Sequence, residues 1–478
     1  MKASFLWQRL LEQTRGIRLI RPLFCFTMTM TLCILANPLP SQASRAKAQT
    51  PKTQLINSDA LLQQGIQQYQ THQHQAALQS LLRAATHYQA LGQAPGAHQH
   101  QAQALAVLGD VYVALGNDRQ ARAAYQQGLA IAHTLNNQPL QATILLSLGE
   151  VQSVLGQHIQ AVDALQDCLA FARRMGDRTL EGQALRALGD TEAVSGRYQQ
   201  AQKAYEQSLA IAQSSNDRLL EATVLFSLSN IQSAVGNDKQ AVVTLQKGLK
   251  ISQQMGNRRL EGEALKGLGE IEQHLGNDSQ ATAYYQQSLA IVRTIGNHFL
   301  EAAVLLDLGK LYTSLNKPDR TIAYCQQSLT ISRQLGNVQK ESQALHALGN
   351  AYLSQHNFAQ AVQSLQQSLF IVQEFQNTQS EGEILLDLGL AYHGLGNYSE
   401  AMDVQQDALN LALRMHLSVQ AAKALNNLGR TAQALKDYAK AVTYYQQGLA
   451  IAQSIPEPTL VRKISSNLNN IQPLLLNR

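Results

Sequence analysis

Leucines recur along this chain with a period that does not slip. Leu108, Leu148, Leu188, Leu228, Leu268, Leu308, Leu348, Leu388 and Leu428 lie 40 residues apart, and another leucine stands three residues before each, from Leu105 to Leu425. A second series runs from Leu129 to Leu449 at the same spacing. Such a fixed period means one supersecondary unit stacked on copies of itself. Within a unit, Leu105, Leu108, Gly109 and Tyr112 stand at i, i+3, i+4 and i+7, the apolar stripe of a helix. Ala121, Tyr125 and Leu129 mark a second helix in the same way. Turn signals divide the two, as at Gly116-Asn117, Gly196-Arg197, Gly236-Asn237, Gly276-Asn277 and Gly396-Asn397. Glycine there relieves the left-handed backbone that ends a helix. Gly176-Asp177, Gly256-Asn257, Gly296-Asn297 and Gly336-Asn337 close the second helix and cap the next. Glu181, Glu221, Glu261, Glu301, Glu341 and Glu381 then fall in a first helical turn, where the helix dipole favours them.

A second period overlies the first. The residue after the motif's first leucine is Leu146, Phe226, Leu306 and Leu386 in one set of repeats, and Arg186, Lys266, His346 and Asn426 in the set between, a spacing of 80. The tract YQQGLAIA at Tyr125–Ala132 returns identically at Tyr445–Ala452. Duplication of a two-repeat unit explains both. Four residues on, the series reads Asp110, Glu150, Asp190, Asn230, Glu270, Lys310, Asn350, Leu390 and Arg430, turning from acidic to basic along the chain. The i, i+4, i+7 spacing places these positions on one helix face beside the core stripe.

The pattern Leu105, Leu108, Gly109, Tyr112, Ala121, Tyr125 resembles the tetratricopeptide repeat (TPR). The family's usual period is about 34 residues, so this chain is similar to the longer variant of kinesin light chains, Pins-type scaffolds and bacterial arrays fused to CHAT domains. The family's early tryptophan is leucine here and its late proline is absent. The resemblance covers residues 60–475 and leaves no room there for a separate catalytic domain. It implies an all-α, right-handed α-solenoid of about ten helix pairs with a C-terminal capping helix. Residues 60–101 are a degenerate first repeat with an insertion around Gly92–Gly96, residues 102–455 nine regular repeats, and residues 456–478 the capping helix and tail. The resemblance also turns the two alternating series toward a concave groove. An extended or helical peptide with apolar anchors and an opposed charge gradient would lie there. Packing of the leucines on the next repeat, with the charges merely solvated, is the competing reading.

Charge changes the picture at one end only. The chain carries 38 basic and 33 acidic residues, but Lys2, Arg9, Arg15, Arg18, Arg21, Arg45 and Lys47 face Glu12 alone within residues 1–48. The remainder, 31 basic against 32 acidic, lacks the basic excess of a nucleic-acid binder. The basic stretch to Arg21 and the 14-residue apolar run Leu23–Ala36 read as a signal peptide cleaved after Ala43 or Ala48, with residues 49–59 as a linker. Fourteen residues are short for a membrane span. The expectation is therefore an exported protein, periplasmic or secreted, with no membrane span in its mature chain. An uncleaved N-terminal anchor is the alternative.

The sequence carries no catalytic signature. No Gly-rich phosphate loop, G-x-S-x-G elbow, H-E-x-x-H or C-x-x-C occurs. Cys168 and Cys325 lie 157 residues apart, at positions that read as small apolar filler. His72 and His74, like His98 and His100, are two residues apart and point apart on a helix, so they read as surface histidines rather than metal ligands. Tyr125, Tyr205, Tyr285 and Tyr445 read as core. The sequence thus points to a non-catalytic scaffold without cofactor or metal, whose partner is a protein or peptide and not nucleic acid. Self-association through the groove or the end caps stays open. A peptide-sensing regulator retained in the cytoplasm is the second reading.

Overall fold

A computed structural model describes residues 51–476, apart from residues 93 and 376. The expected signal peptide lies outside the described residues. The chain divides into residues 1–54 and residues 55–478, and the helical array is the second unit. Its repeats are helix pairs: α1 (Pro51–Gln70) with α2 (His74–Leu91), α3 (Ala97–Ala114) with α4 (Asp118–Thr134), and α5 (Gln138–Val154) with α6 (His158–Met175). Next come α7 (Arg178–Val194) with α8 (Tyr198–Ser214), α9 (Arg218–Ala234) with α10 (Asp238–Gln254), and α11 (Arg258–His274) with α12 (Asp278–Thr294). The series continues with α13 (His298–Ser314) and α14 (Pro318–Gln334), then α15 (Val338–Ser354) and α16 (Phe358–Glu374). It closes with α17 (Thr378–Leu395) and α18 (Tyr398–Arg414), α19 (Ser418–Ala434) and α20 (Tyr438–Gln453), and the unpaired α21 (Pro458–Leu476). Among the described residues there is no strand. The architecture is an α-solenoid, as the 40-residue period implies.

Residues 51–59 were expected as linker, but they are the first turns of α1. Tertiary contacts decide this. Leu55, Leu61 and Ile66 pack on the cluster of Leu62, Leu81 and Leu105, and the Tyr88 hydroxyl donates to Asp59 at 2.6 Å.

Local chemistry sets both turns. Where one repeat meets the next, Asn137, Asp177, Asp217, Asn257, Asn297 and Asn337 each accept, on a side-chain oxygen, the N–H of the residue three on, at 3.0–3.2 Å. Within a repeat, the second helix nests on the motif glycine of the first. A Cβ on Gly109 would lie 2.3 Å from the Tyr125 ring, and one on Gly309 2.3 Å from Cys325 Sγ. The residue sixteen on therefore fills the space glycine leaves. Cys325 occupies this ring position, taken by Tyr125, Tyr205, Tyr285 and Tyr445 elsewhere, rather than a small-residue one. Cys168 does sit among small residues. Both cysteines are buried and free, and burial pushes each thiol up to about 12, which makes them poor nucleophiles at neutral pH.

The helices form two layers of different spacing. From α3 to α21 every odd-numbered helix touches the next odd-numbered one, whereas no even-numbered helix touches another among the described residues. Closely spaced odd helices make the inner face. The even helices diverge outside it.

Candidate functional site

The inner face carries the two alternating series, and the structure divides them into core, internal bonds and free groups. Leu306 and Leu386 are 0% and 7% exposed and both pack in the core, although Leu386 also reaches the wall of a cavity on this face. Leu306 packs with Cys325, Ala344 and Leu348, and Leu386 with Leu409 and Leu425. Leu146 and Phe226 are half-buried in the same junctions, Phe226 filling the space beside Gly248, where a Cβ would lie 2.5 Å from its ring. The apolar half of the alternation is thus read by the neighbouring repeat. Asn426, 2% exposed, is also buried, with its Oδ1 accepting from Asn467 Nδ2 at 2.8 Å.

Most of the charged half is spent internally too. Arg186 bonds Glu150 at 2.8 Å on the preceding odd helix and Asp190 at 2.5 Å on its own. Lys266 pairs with Glu270 at 2.5 Å and Asp307 at 3.1 Å, and His346 Nε2 with Asp387 at 2.8 Å. Burial alone would lower the Lys266 pKa, but these carboxylates outweigh it and the net direction is upward. Burial lifts Asp110 above the usual carboxylate range and Glu150 adds to the lift, although the Tyr125 hydroxyl donates to Asp110 at 2.5 Å. Glu150 is also raised by burial, with Arg186 opposing. The acidic-to-basic gradient is therefore half cancelled: the cations Arg186 and Lys266 neutralise the acidic end from within. Asn230 is exposed, and Lys310 and Arg430 form no ion pair with a described carboxylate.

Sequence reasoning missed the partners. Lys266–Asp307, His346–Asp387 and Asn426–Asn467 each join residues 41 apart, as His100–Asp59 does at 2.9 Å. That offset is the signal that would have found them. His100 is thus engaged with an acid rather than being a bare surface histidine. Among the described residues no group of three or more His, Cys, Asp and Glu could hold a metal. The tyrosines at the motif position are buried, as expected. The repeated glutamates lie in first turns, but cations clamp several as well: Arg173 and Arg178 on Glu181 at 2.9 and 2.5 Å, Arg293 and His298 on Glu301 at 2.8 and 3.1 Å.

The sealing position of the repeat changes near the end of the array. At the first turn of the odd helices, Leu140, Leu180, Leu220, Leu260 and Leu300 seal one repeat to the next, and Leu180, Leu220 and Leu260 are buried. Lys340, Ser380 and Gln420 stand in the following places before Leu460 restores the leucine. A cavity of about 550 Å³ lies among α15, α17, α19 and α21. Its wall includes His346, Asn350, Leu390, Gln420, Lys423 and Lys463.

Solved structures with this fold are similar to the chain at low identity. A signal transduction ATPase with a tetratricopeptide repeat sensor from Pyrococcus horikoshii is 16% identical with a TM-score of 0.53, over 72% of this chain and 54% of that one. The chain thus spans about half the length of that protein. BtubC from P. vanneervenii is 22% identical over 45% of this chain and 91% of its own, with a TM-score of 0.41. The apo quorum sensor NprR from B. thuringiensis is 13% identical over 72% and 99%, with a TM-score of 0.49. A search of the curated proteins gives no match. The family model of the tetratricopeptide repeat matches residues 106–174, 179–254, 260–334, 340–414 and 380–454, and the chain belongs to the tetratricopeptide repeat family.

Proposed function

We propose that the protein is a non-catalytic scaffold, exported across the cytoplasmic membrane, that binds a segment of a partner protein along its inner face. The observation that carries this reading is the cavity of about 550 Å³ on the second half of that face. Leu390, Val419 and Leu460 give it apolar contact, and Asn350, Asn427 and Gln420 offer amide donors and acceptors for a peptide backbone. Export rests on the leader, whose basic stretch, apolar run and small residues before Ser44 and Gln49 suit a cleaved signal.

The test places a photo-crosslinking residue at Asn350, or at Lys247 on the outer α10, in the full chain expressed in its own cells. A mature N-terminus at Ser44 or Gln49 and a protein crosslinked from position 350 alone are expected. A chain that keeps Met1 in the cytoplasm overturns export and supports the regulator reading. Crosslinks from 247 and not from 350 move binding to the outer layer.

A further inference from the structure

Away from the alternating series, one repeat lacks a cation that its siblings carry. The first-turn glutamates of the odd helices meet a side chain from the end of the preceding even helix. Arg293 donates from Nε to Glu301 at 2.8 Å and from Nη2 to Gln327 of the next even helix at 2.9 Å. Arg333 repeats this bridge to Glu341 and Gln367 at 2.8 and 3.0 Å. Where glutamine takes the arginine's place, at Gln213 and Gln253, a second arginine closes on the glutamate instead: Arg218 on Glu221 at 2.7 Å and Arg258 on Glu261 at 2.5 Å. Glu381 has neither. Gln373 stands in the place of Arg293 and Thr378 in that of Arg218, and the only described bond to Glu381 comes from Gln373 Nε2 at 2.9 Å. Asp407 takes the place of Gln327 and Gln367, so both ends of the vacated bridge are carboxylates. Burial raises the Asp407 pKa, and Asp403 and Glu381 raise it further.

Glu381 and Asp407 line one cavity of about 420 Å³ among α16, α17 and α18, where the even helices diverge. Leu385 and Leu411, 5% and 4% exposed, give it an apolar base. Arg414 stands on its wall without an ion pair to either acid. The matching gap between α8 and α10 has Arg218, Lys247 and Lys250 beside a single acid, Glu221, so its charge is already met. We infer that the gap between α16 and α18 is a guanidinium seat, which takes an arginine side chain of a partner protein between Glu381 and Asp407. The chain's own repeats supply the template, since the same two positions hold a guanidinium by its fork where Arg293 or Arg333 provides it. Asp407 adds a charge to a bond that glutamine accepts elsewhere, which favours a cation further. A lysine ammonium is a point charge and lacks the fork that spans two acceptors. A metal ion would find two carboxylates where it needs more donors, and no described group of three or more His, Cys, Asp and Glu exists. Leu385 and Leu411 would cover the methylene stem of an arginine. A free small molecule would gain little more apolar contact than these two residues give, so a side chain carried by a larger partner fits better.

The test follows N-acetyl-argininamide, N-acetyl-lysinamide and free L-arginine by ligand-observed NMR against the full chain, Gln373→Arg, Asp407→Gln and Arg414→Gln. Gln373→Arg rebuilds the bridge of Arg293 from within. Expected are saturable binding of the arginine amide to the parent and about tenfold weaker binding of the lysine amide. Gln373→Arg should lose the arginine amide while its thermal midpoint rises, a coupling that a purely structural vacancy would not produce. Asp407→Gln copies Gln327 and Gln367 at an exposed site, so it keeps the fold should Gln373→Arg perturb it, and it should weaken the arginine amide about tenfold. No binding to the parent, or unchanged binding to either variant, overturns the seat. So does binding that appears only in Arg414→Gln with a lowered midpoint, because Arg414 then fills the place itself. Equal binding of the lysine amide overturns the guanidinium assignment. Tighter binding of free L-arginine than of its blocked amide overturns the partner protein in favour of a small molecule. The inner-face reading stands or falls separately, since none of these variants lies in the alternating series or the cavity on that face.

Discussion

The two halves of the inner face use the same frame for different ends. From α5 to α13 a leucine stands at each first-turn junction, and Arg186 and Lys266 consume acids of their own chain. From α15 onward Lys340, Ser380 and Gln420 stand where that leucine was, a cavity lies among α15, α17, α19 and α21, and Lys310 and Arg430 on this half have no described carboxylate partner. Both halves spend polar groups on neighbouring repeats, the first through Arg186 and Lys266, the second through His346–Asp387 and Asn426–Asn467. On this face only the second half keeps cations, Lys310 and Arg430, that no described carboxylate pairs. Stacked repeats tolerate such departures because each contacts chiefly the next, so a local loss of packing stays local.

The largest expected effect is at the buried leucine of the second half. Leu306→Glu places an unpaired charge at a fully buried position and should cost about 4 kcal/mol or more, whereas half-buried Leu146→Glu should cost roughly half as much. Hydrogen exchange would show α13–α15 opening in the first and a smaller change at α5–α7 in the second. Equal effects would erase the distinction between the two leucines. Gly109→Ala forces a methyl against the Tyr125 ring and should lose about 1–3 kcal/mol, read from the urea midpoint.

Charge deletion sharpens the contrast. Arg186→Met strands Glu150 and Asp190 and should cost about 1 kcal/mol, discounted because the pair is partly solvated. Lys310→Met, with no ion partner to strand, should stay within about 0.5 kcal/mol. If both variants unfold at the same urea concentration as the parent, the first half has no internal charge pairing of consequence.

The smallest effect is in pH dependence. Bonds from Arg293 and His298 outweigh burial and hold Glu301 below its ordinary value of 4.5. A carboxylate lowered by folding adds stability above its unfolded pKa and loses it as pH falls through the folded one. Between neutral pH and pH 6 little should change. Below 4.5 the thermal midpoint of the parent should drop more steeply than that of Glu301→Gln.

The fold was legible because its determinants are local and repeated. Leu105, Leu108 and Gly109 fix a stripe, Asn137 and Asp177 fix a cap, and both recur in register. The site was legible only as a face. Helix periodicity placed Leu146 and Leu306 at the same angle, yet only Leu306 is fully enclosed, because Cys325 and Ala344 close over it from other helices. Likewise the acidic-to-basic series read as a gradient until Arg186 and Lys266 met their partners, Glu150 and Asp307, one odd helix away. Those contacts depend on how far one repeat is displaced past the next, which period alone does not give. The substitution of Lys340 for a sealing leucine was present in the aligned repeats. Its half-buried setting, with Gln343 as hydrogen-bond partner, was not.

A photo-crosslinker scanned along the inner face at positions 110, 150, 190, 230, 270, 310, 350, 390 and 430 separates the two halves in one experiment. Partner crosslinks confined to 310 and beyond are expected. Crosslinks concentrated at 110–230 would contradict the division, and would make the internally paired half the binding surface.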